Sequence, residues 1–168
     1  FAFNPQNRLR VWAGHLNSEL TVESVLRSFM SAPLFPVPVD TLKGCVALKD
    51  FKAGETLSPH QGTTIKTAPL NHPNGATGYR VEHGGKVICY VTDTEHVPGK
   101  PDQIILQLID GADIVIYDAT YSDEEFPQYQ GWGHSTWQEC LRLCCEAGVK
   151  MPVIYHHLPG RNDDVLDT

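Results

Sequence analysis

Two rhythms of apolar and polar positions run along the chain. In the earlier part, short apolar runs are bounded by Gly, Pro and Asn. Residues 8–14 (RLRVWAG), 45–51 (CVALKDF), 63–70 (TTIKTAPL) and 78–92 (GYRVEHGGKVICYVT) read as strands. Gly84-Gly85 marks a hairpin turn inside the last of these. Residues 21–30 (TVESVLRSFM) instead place Val22, Val25, Leu26 and Phe29 at helical spacing, with Thr21 suited to the N-cap. Residues 31–40 (SAPLFPVPVD) hold three prolines and are expected to be ordered but irregular.

The later part alternates helix and strand. Residues 102–112 (DQIILQLIDGA) predict a short amphipathic helix and 113–120 (DIVIYDAT) a buried strand. Residues 134–148 predict a second helix and 151–157 (MPVIYHH) a second buried strand. In that helix Trp137, Cys140, Leu141, Cys144 and Cys145 recur at i, i+3, i+4, i+7 and i+8, which predicts one buried face. Ser135 with Gln138, or Thr136 with Glu139, can form a capping box, and Gly148 suits the position past the end. Asp163 or Asp164 suits the N-cap of a final helix in GRNDDVLD. Strand–helix–strand–helix–strand spells a layered α/β half-domain. The 168 residues, without internal repeat or low-complexity segment, suggest a single domain over 1–168.

Composition narrows the class. Hydrophobic residues make up 41% and charged residues 20%, as in a globular protein. No apolar run approaches the roughly 18 residues of a membrane span, so no membrane partner is expected. The net charge of −7 comes without a basic stripe, which argues against a bulk nucleic-acid surface. A phosphate-bearing substrate still fits if a metal supplies positive charge. Five cysteines, an odd number with three in one predicted helix, do not form a disulfide framework and point to a reducing cytoplasm. The opening FAFNPQNRLR has neither an initiator Met nor a signal-peptide pattern, so a piece of a longer protein is expected.

Candidate chemistry lies at strand ends. VICYVT is followed by Asp93, IVIY by Asp118, and PVIY by His156 and His157. In α/β sheets ligands gather at the carboxyl ends of strands, so these residues are expected on one edge. His72 precedes a Gly-rich turn in NHPNGATGYR, and His134 precedes a helix in GWGHST.

Taken in order, NHPNGATGYRVEHGGKVICYVTDTEH, IVIYDATYSDEE, GWGHSTWQE and VIYHHLPGRNDD resemble the metallo-β-lactamase-fold hydrolases, nearest the branch of ribonuclease Z and phosphodiesterase-like proteins. The resemblance covers residues 70–167 closely and the earlier part loosely. It implies an αββα sandwich, of which this chain is largely the later portion. It also implies one or two metal ions, usually zinc and sometimes manganese or iron. By resemblance, His72 is a ligand of the first metal, Asp93 the carboxylate bridging both, and His156 a ligand of the second. His134 is the acid that protonates a leaving oxygen, and Asp118 the acid that orients it. The implied activity is hydrolysis of a nucleotide or small-molecule phosphodiester, or a related ester, by a metal-activated water. The family signature H-x-H-x-D-H has no counterpart in this chain, which contains no H-x-H. The expectation is therefore weak metal binding or none, and little hydrolysis, by this polypeptide alone.

Blander roles stand beside these. Asp118 is equally suited to bonding the following turn, and His134 to capping its helix. His157 is either a supporting donor or exposed, and His83 and His96 are expected in solvent, with Glu95 a bystander. Cys140 and Cys144 are expected to pack as small hydrophobes rather than bind metal. YSDEEFP is expected as a solvated loop beside the site, and Tyr121, Tyr129 or Trp132 would line the mouth if relatives are a guide. The alternative to a hydrolase is a non-catalytic α/β scaffold or interaction module. Its exposed apolar sheet face would drive homo-oligomer formation.

Overall fold

A computed structural model describes residues 1–14 and 19–166. The chain forms two compact units, residues 1–52 and 53–168. In the first, β1 (Leu9–Ala13) and β2 (Cys45–Asp50) pair in parallel. The helix α1 (Val22–Phe29) lies between them in sequence. Thr21 caps α1 as expected, and its capping box closes with Ser24 rather than an acidic residue. The Asp50 carboxylate accepts from the Val22 amide at 2.7 Å, tying the first turn of α1 to the end of β2. The proline-rich stretch contains a cis Ala32–Pro33 bond and one short 3₁₀ turn, Val39–Thr41.

The second unit is built on a six-stranded sheet of β3 (Thr56–His60), β4 (Thr63–Leu70), β5 (Ala76–His83), β6 (Lys86–Val91), β7 (Ile114–Asp118) and β8 (Met151–Tyr155), in that spatial order. The first four strands pair antiparallel, and β6, β7 and β8 run parallel. Gly84 and Gly85 have φ of 56° and 73°, the backbone a tight hairpin between β5 and β6 demands. β3 escapes the alternation pattern because Pro59 interrupts it, and it lies at the sheet edge, where proline is tolerated.

The parallel pairs are joined through α2 (Gln103–Ile109) and α3 (Trp137–Glu146). Asp102 caps α2 by accepting from Ile104 and Ile105. Ile105, Leu108 and Ile109 of α2 meet Cys140, Leu143 and Cys144 of α3 over Cys89, Val91, Val115 and Tyr117 of the sheet. Thr136 caps α3 by accepting from Glu139, whose own carboxylate pairs with Arg142 instead of closing the box. Gly148 takes the left-handed conformation just past the end, with φ 63°.

Two packing expectations are corrected. The buried stripe of α3 runs through Cys140, Leu143, Cys144 and Ala147, while Trp137, Leu141 and Cys145 are exposed. The sheet meets the helix on the 140–147 diagonal, which leaves the i, i+4, i+8 row on its outer edge. β8 is not a buried strand, because all five of its residues are exposed. It is the last strand of the sheet, paired only with β7. Met151, Val153 and Tyr155 are thereby left as exposed apolar groups, and Ile88 of the interior strand β6 is exposed as well. Asp163 and Asp164 occupy the first turn of α4 (Asp163–Leu166) rather than its cap. The rest of the expected final helix, from Asp167, lies outside the described residues.

Candidate metal centre

Because β6, β7 and β8 are parallel and in register, with Val91 opposite Tyr117 and Asp118 opposite Tyr155, their carboxyl ends share one edge. Asp93 follows β6, Asp118 ends β7 and His156 follows β8. His134 reaches the same edge from the loop before α3. One ligand atom from each of Asp93, Asp118, His134 and His156 lies within 4.8 Å of every other.

Asp118 is fully buried yet well solvated by protein donors. Its Oδ1 accepts from the Thr120 amide at 3.2 Å and hydroxyl at 2.7 Å. Its Oδ2 accepts from the Thr94 amide at 3.2 Å and faces His134 Nδ1 at 3.0 Å. Asp118 thus contacts both the 118–120 turn and the His134 ring.

His156 has φ 63°, a left-handed backbone that non-glycine residues rarely adopt. The turn is pinned by Ala119 N–H to Tyr155 O at 2.8 Å and by the Thr120 hydroxyl at 2.8 Å from His156 O. It brings His156 Nδ1 to 3.3 Å from Asp93 Oδ1 and 3.6 Å from Asp118 Oδ1. That nitrogen is buried and makes no hydrogen bond.

His72 stands one ring further out. Its imidazole centroid is 6.1 Å from that of His134, and its buried Nδ1 also has no hydrogen-bond partner. It is outside the four-residue group. Two carboxylates and two or three imidazoles, with two nitrogens buried and unpartnered, are a donor set that suits zinc, manganese or iron.

Other residues depart from expectation. His96 is buried, with Nδ1 2.8 Å from the Ser135 hydroxyl and its ring stacked on Phe126 at 4.2 Å. Burial pushes its pKa below the ordinary value, favouring the neutral ring. The loop after β6 folds inward, which no periodicity in TDTEH signals. Glu95 is engaged too: its Oε2 accepts from the Gly131 amide at 2.7 Å and the Gly133 amide at 2.9 Å. The acidic loop is partly paired, with Asp123 bonded to Arg142 and Glu125 to Arg161. Tyr121 is buried, stacks on Tyr129 at 4.4 Å and meets His134 edge-on at 6.3 Å, while Trp132 is exposed. Cys140 and Cys144 sit with sulfurs 4.0 Å apart inside the apolar core, away from these ligands.

Comparison with known proteins places this geometry. Residues 6–157 match the family described as Beta-lactamase superfamily domain, a stretch that spans both compact units. Ribonuclease Z from Brevibacillus brevis is 35% identical over 80 residues, covering 48% of this chain and 24% of that protein. The matches to curated relatives cover about a quarter to two-fifths of their length, as with the 38% for ribonuclease Z from Saccharolobus islandicus, which is 32% identical over 128 residues, or 76% of this chain. Among solved structures, the metallo-β-lactamase fold protein YhfI from Bacillus subtilis superposes with a TM-score of 0.70 at 16% identity, covering 96% of this chain and 57% of that one. Mixed α/β layering, strand-end ligands and the match over nearly the whole chain agree: the chain belongs to the beta-lactamase superfamily domain family and has the metallo-β-lactamase fold.

Proposed function

We propose that this polypeptide provides metal-binding residues of a hydrolase that acts on a phosphodiester or related ester. The observation that carries the proposal is the convergence of Asp93, Asp118, His134 and His156 on one strand-end edge. Asp93 and His156 would hold the ion, with His72 as a further candidate ligand. A bound ion, zinc by the chemistry of the donors or manganese or iron, would supply Lewis acidity and an activated water nucleophile. Asp118 keeps the His134 ring oriented through Nδ1, and Nε2 delivers a proton to the leaving oxygen. Tyr121, through its contact with His134, limits the ring's rotation.

The relatives named ribonuclease Z favour an RNA or nucleotide phosphodiester as substrate. The net charge of −7 is no obstacle, because a bound cation and not the bulk surface would meet the phosphate. The expectation of no bulk nucleic-acid binding surface finds no support in those relatives. No helix among the described residues is long and apolar enough to cross a membrane. The free cysteines suit a cytoplasmic location, which belongs to the proposal.

A second reading is a non-catalytic module that self-associates. It is favoured by the exposed Ile88 on β6 and the exposed Met151, Val153 and Tyr155 on β8. One set of measurements separates the two. Calorimetric titration with zinc and manganese is combined with hydrolysis of bis(p-nitrophenyl) phosphate and with light scattering. The hydrolase reading expects weak binding that Asp93→Ala abolishes, and slow turnover that His134→Gln lowers further. A dimer that binds neither ion at millimolar concentration would sink it in favour of the module.

A further inference from the structure

We infer that Glu95 is a positioning residue that locks together the two loops bearing His72 and His134; the inference rests on the metal-site reading above. Its backbone grips the first loop: Glu95 N–H donates to Asn71 O at 2.7 Å, and Asn71 Nδ2 donates back to Glu95 O at 2.8 Å. Its side chain grips the second. A single carboxylate oxygen, Oε2, accepts from the amides of Gly131 and Gly133 at 2.7 and 2.9 Å. Those two residues have φ of 89° and 86°, so the Gly-Trp-Gly turn aims alternate N–H groups at one point. One residue thus touches the neighbours of both histidines without touching either ring.

The second loop also seats the first. A Cβ placed on Gly133 would overlap the His72 imidazole, so the ring rests directly on the Gly133 backbone. His134 follows at once, with its ring 6.1 Å from that of His72 and its Nδ1 on Asp118. Asp118 fixes the orientation of one ring. Nothing in that contact fixes where the 131–134 backbone lies relative to residue 72. The Glu95 bonds do so, its carboxylate holding the 131–133 turn and its backbone holding Asn71.

The test uses the full chain as wild type, Glu95→Ala and Glu95→Gln. Gln keeps an oxygen that can accept both glycine amides, and Ala does not. In Glu95→Ala, exchange of the Gly131 and Gly133 amides is expected to rise by about 10-fold. The imidazole ¹⁵N signals of both His72 and His134 move toward free-ring values, while the Val115 and Leu143 amides stay protected. Zinc affinity, measured with the metal alone, falls by about 10-fold. Glu95→Gln restores each quantity to near the wild-type value. Imidazole signals that do not move in Glu95→Ala, or a Gln variant no better than Ala, overturn the inference. If the Ala variant does not fold, Glu95→Asp, one methylene shorter, must give the same displaced signals or the inference fails. Absence of zinc binding by the wild type overturns the metal-site reading instead, and the exchange and imidazole readouts still decide the role of Glu95.

Discussion

Removing the Asp118 carboxylate tests the centre where its energetics are best defined. The group is fully buried and receives four donors: the Thr94 and Thr120 amides, the Thr120 hydroxyl and His134 Nδ1. In Asp118→Ala two of these can adapt. The hydroxyl can turn wholly to His156 O, already 2.8 Å away, and the half-buried His134 can recruit water. The two backbone N–H groups cannot, and each orphaned donor costs about 1–3 kcal/mol, so the loss is about 4 kcal/mol. Asp118→Asn is milder. With its oxygen turned toward Thr94 and His134, only the Thr120 amide meets an NH₂, and the cost is about 2 kcal/mol. Relief of repulsion with Asp93 opposes both, but Asp93 is partly exposed and screened, so the hydrogen-bond loss wins. Urea unfolding followed by far-ultraviolet circular dichroism reads the effect. With a slope of about 2 kcal/mol per molar, the midpoint falls by about 2 M for Ala and about 1 M for Asn. An Ala variant that loses less than about 1 kcal/mol would falsify the account of Asp118 as a saturated structural anchor.

Further predictions address the surroundings of the centre. Because burial lowers the folded-state pKa of His96, the unfolded chain takes up the proton first as pH falls. Stability is then full above about pH 6.5 and declines below it, toward the lower folded-state value. Thermal melts of His96→Gln should lose that part of the decline, and an unchanged profile would count against a buried neutral ring. Gly133→Ala should destabilise by about 2 kcal/mol or more, since it combines φ 86° with overlap onto His72. Denaturant titration showing a neutral effect would refute the packing of His72 on that backbone. Burial pushes the Cys89 thiol up to about 11, and Cys140 and Cys144 lie in the same apolar core. Ellman's reagent should therefore find Cys145 first and reach Cys89, Cys140 and Cys144 only on unfolding. Rapid modification of all five thiols in the native protein would contradict that core.

The strand-end chemistry was legible in the sequence for a physical reason. Strand–helix–strand alternation implies parallel strands, and parallel strands share one carboxyl edge, so Asp93, Asp118 and His156 had to be neighbours once the elements were recognised. Caps at Thr21 and Thr136 were legible because they are local: each bonds an amide three residues on. Burial across elements was less so. Trp137, Leu141 and Cys145 satisfy helical spacing as well as the residues that α3 buries, and only the position of the sheet selects between the two diagonals. β8 has the composition of a core strand but lies at the edge of the sheet.

The roles of Glu95 and His96 were hidden more deeply. They lie in a loop without period, and their partners are 36 to 39 residues away, at Gly131, Gly133 and Ser135. One signal did exist: two glycines flanking Trp132 immediately before His134 imply a backbone with positive φ that must aim its amides somewhere. Reading such a turn as a pair of donors in search of an acid would have pointed to a carboxylate on a neighbouring loop. The geometry adds an order of dependence. Asp118 fixes one ring, the left-handed turn at His156 presents another, and neither act sets the distance to His72. That distance is set by the contacts of one side chain and its backbone on two loops. An edge assembled from three strand ends thus depends, for the placement of His72 beside it, on the contacts of Glu95.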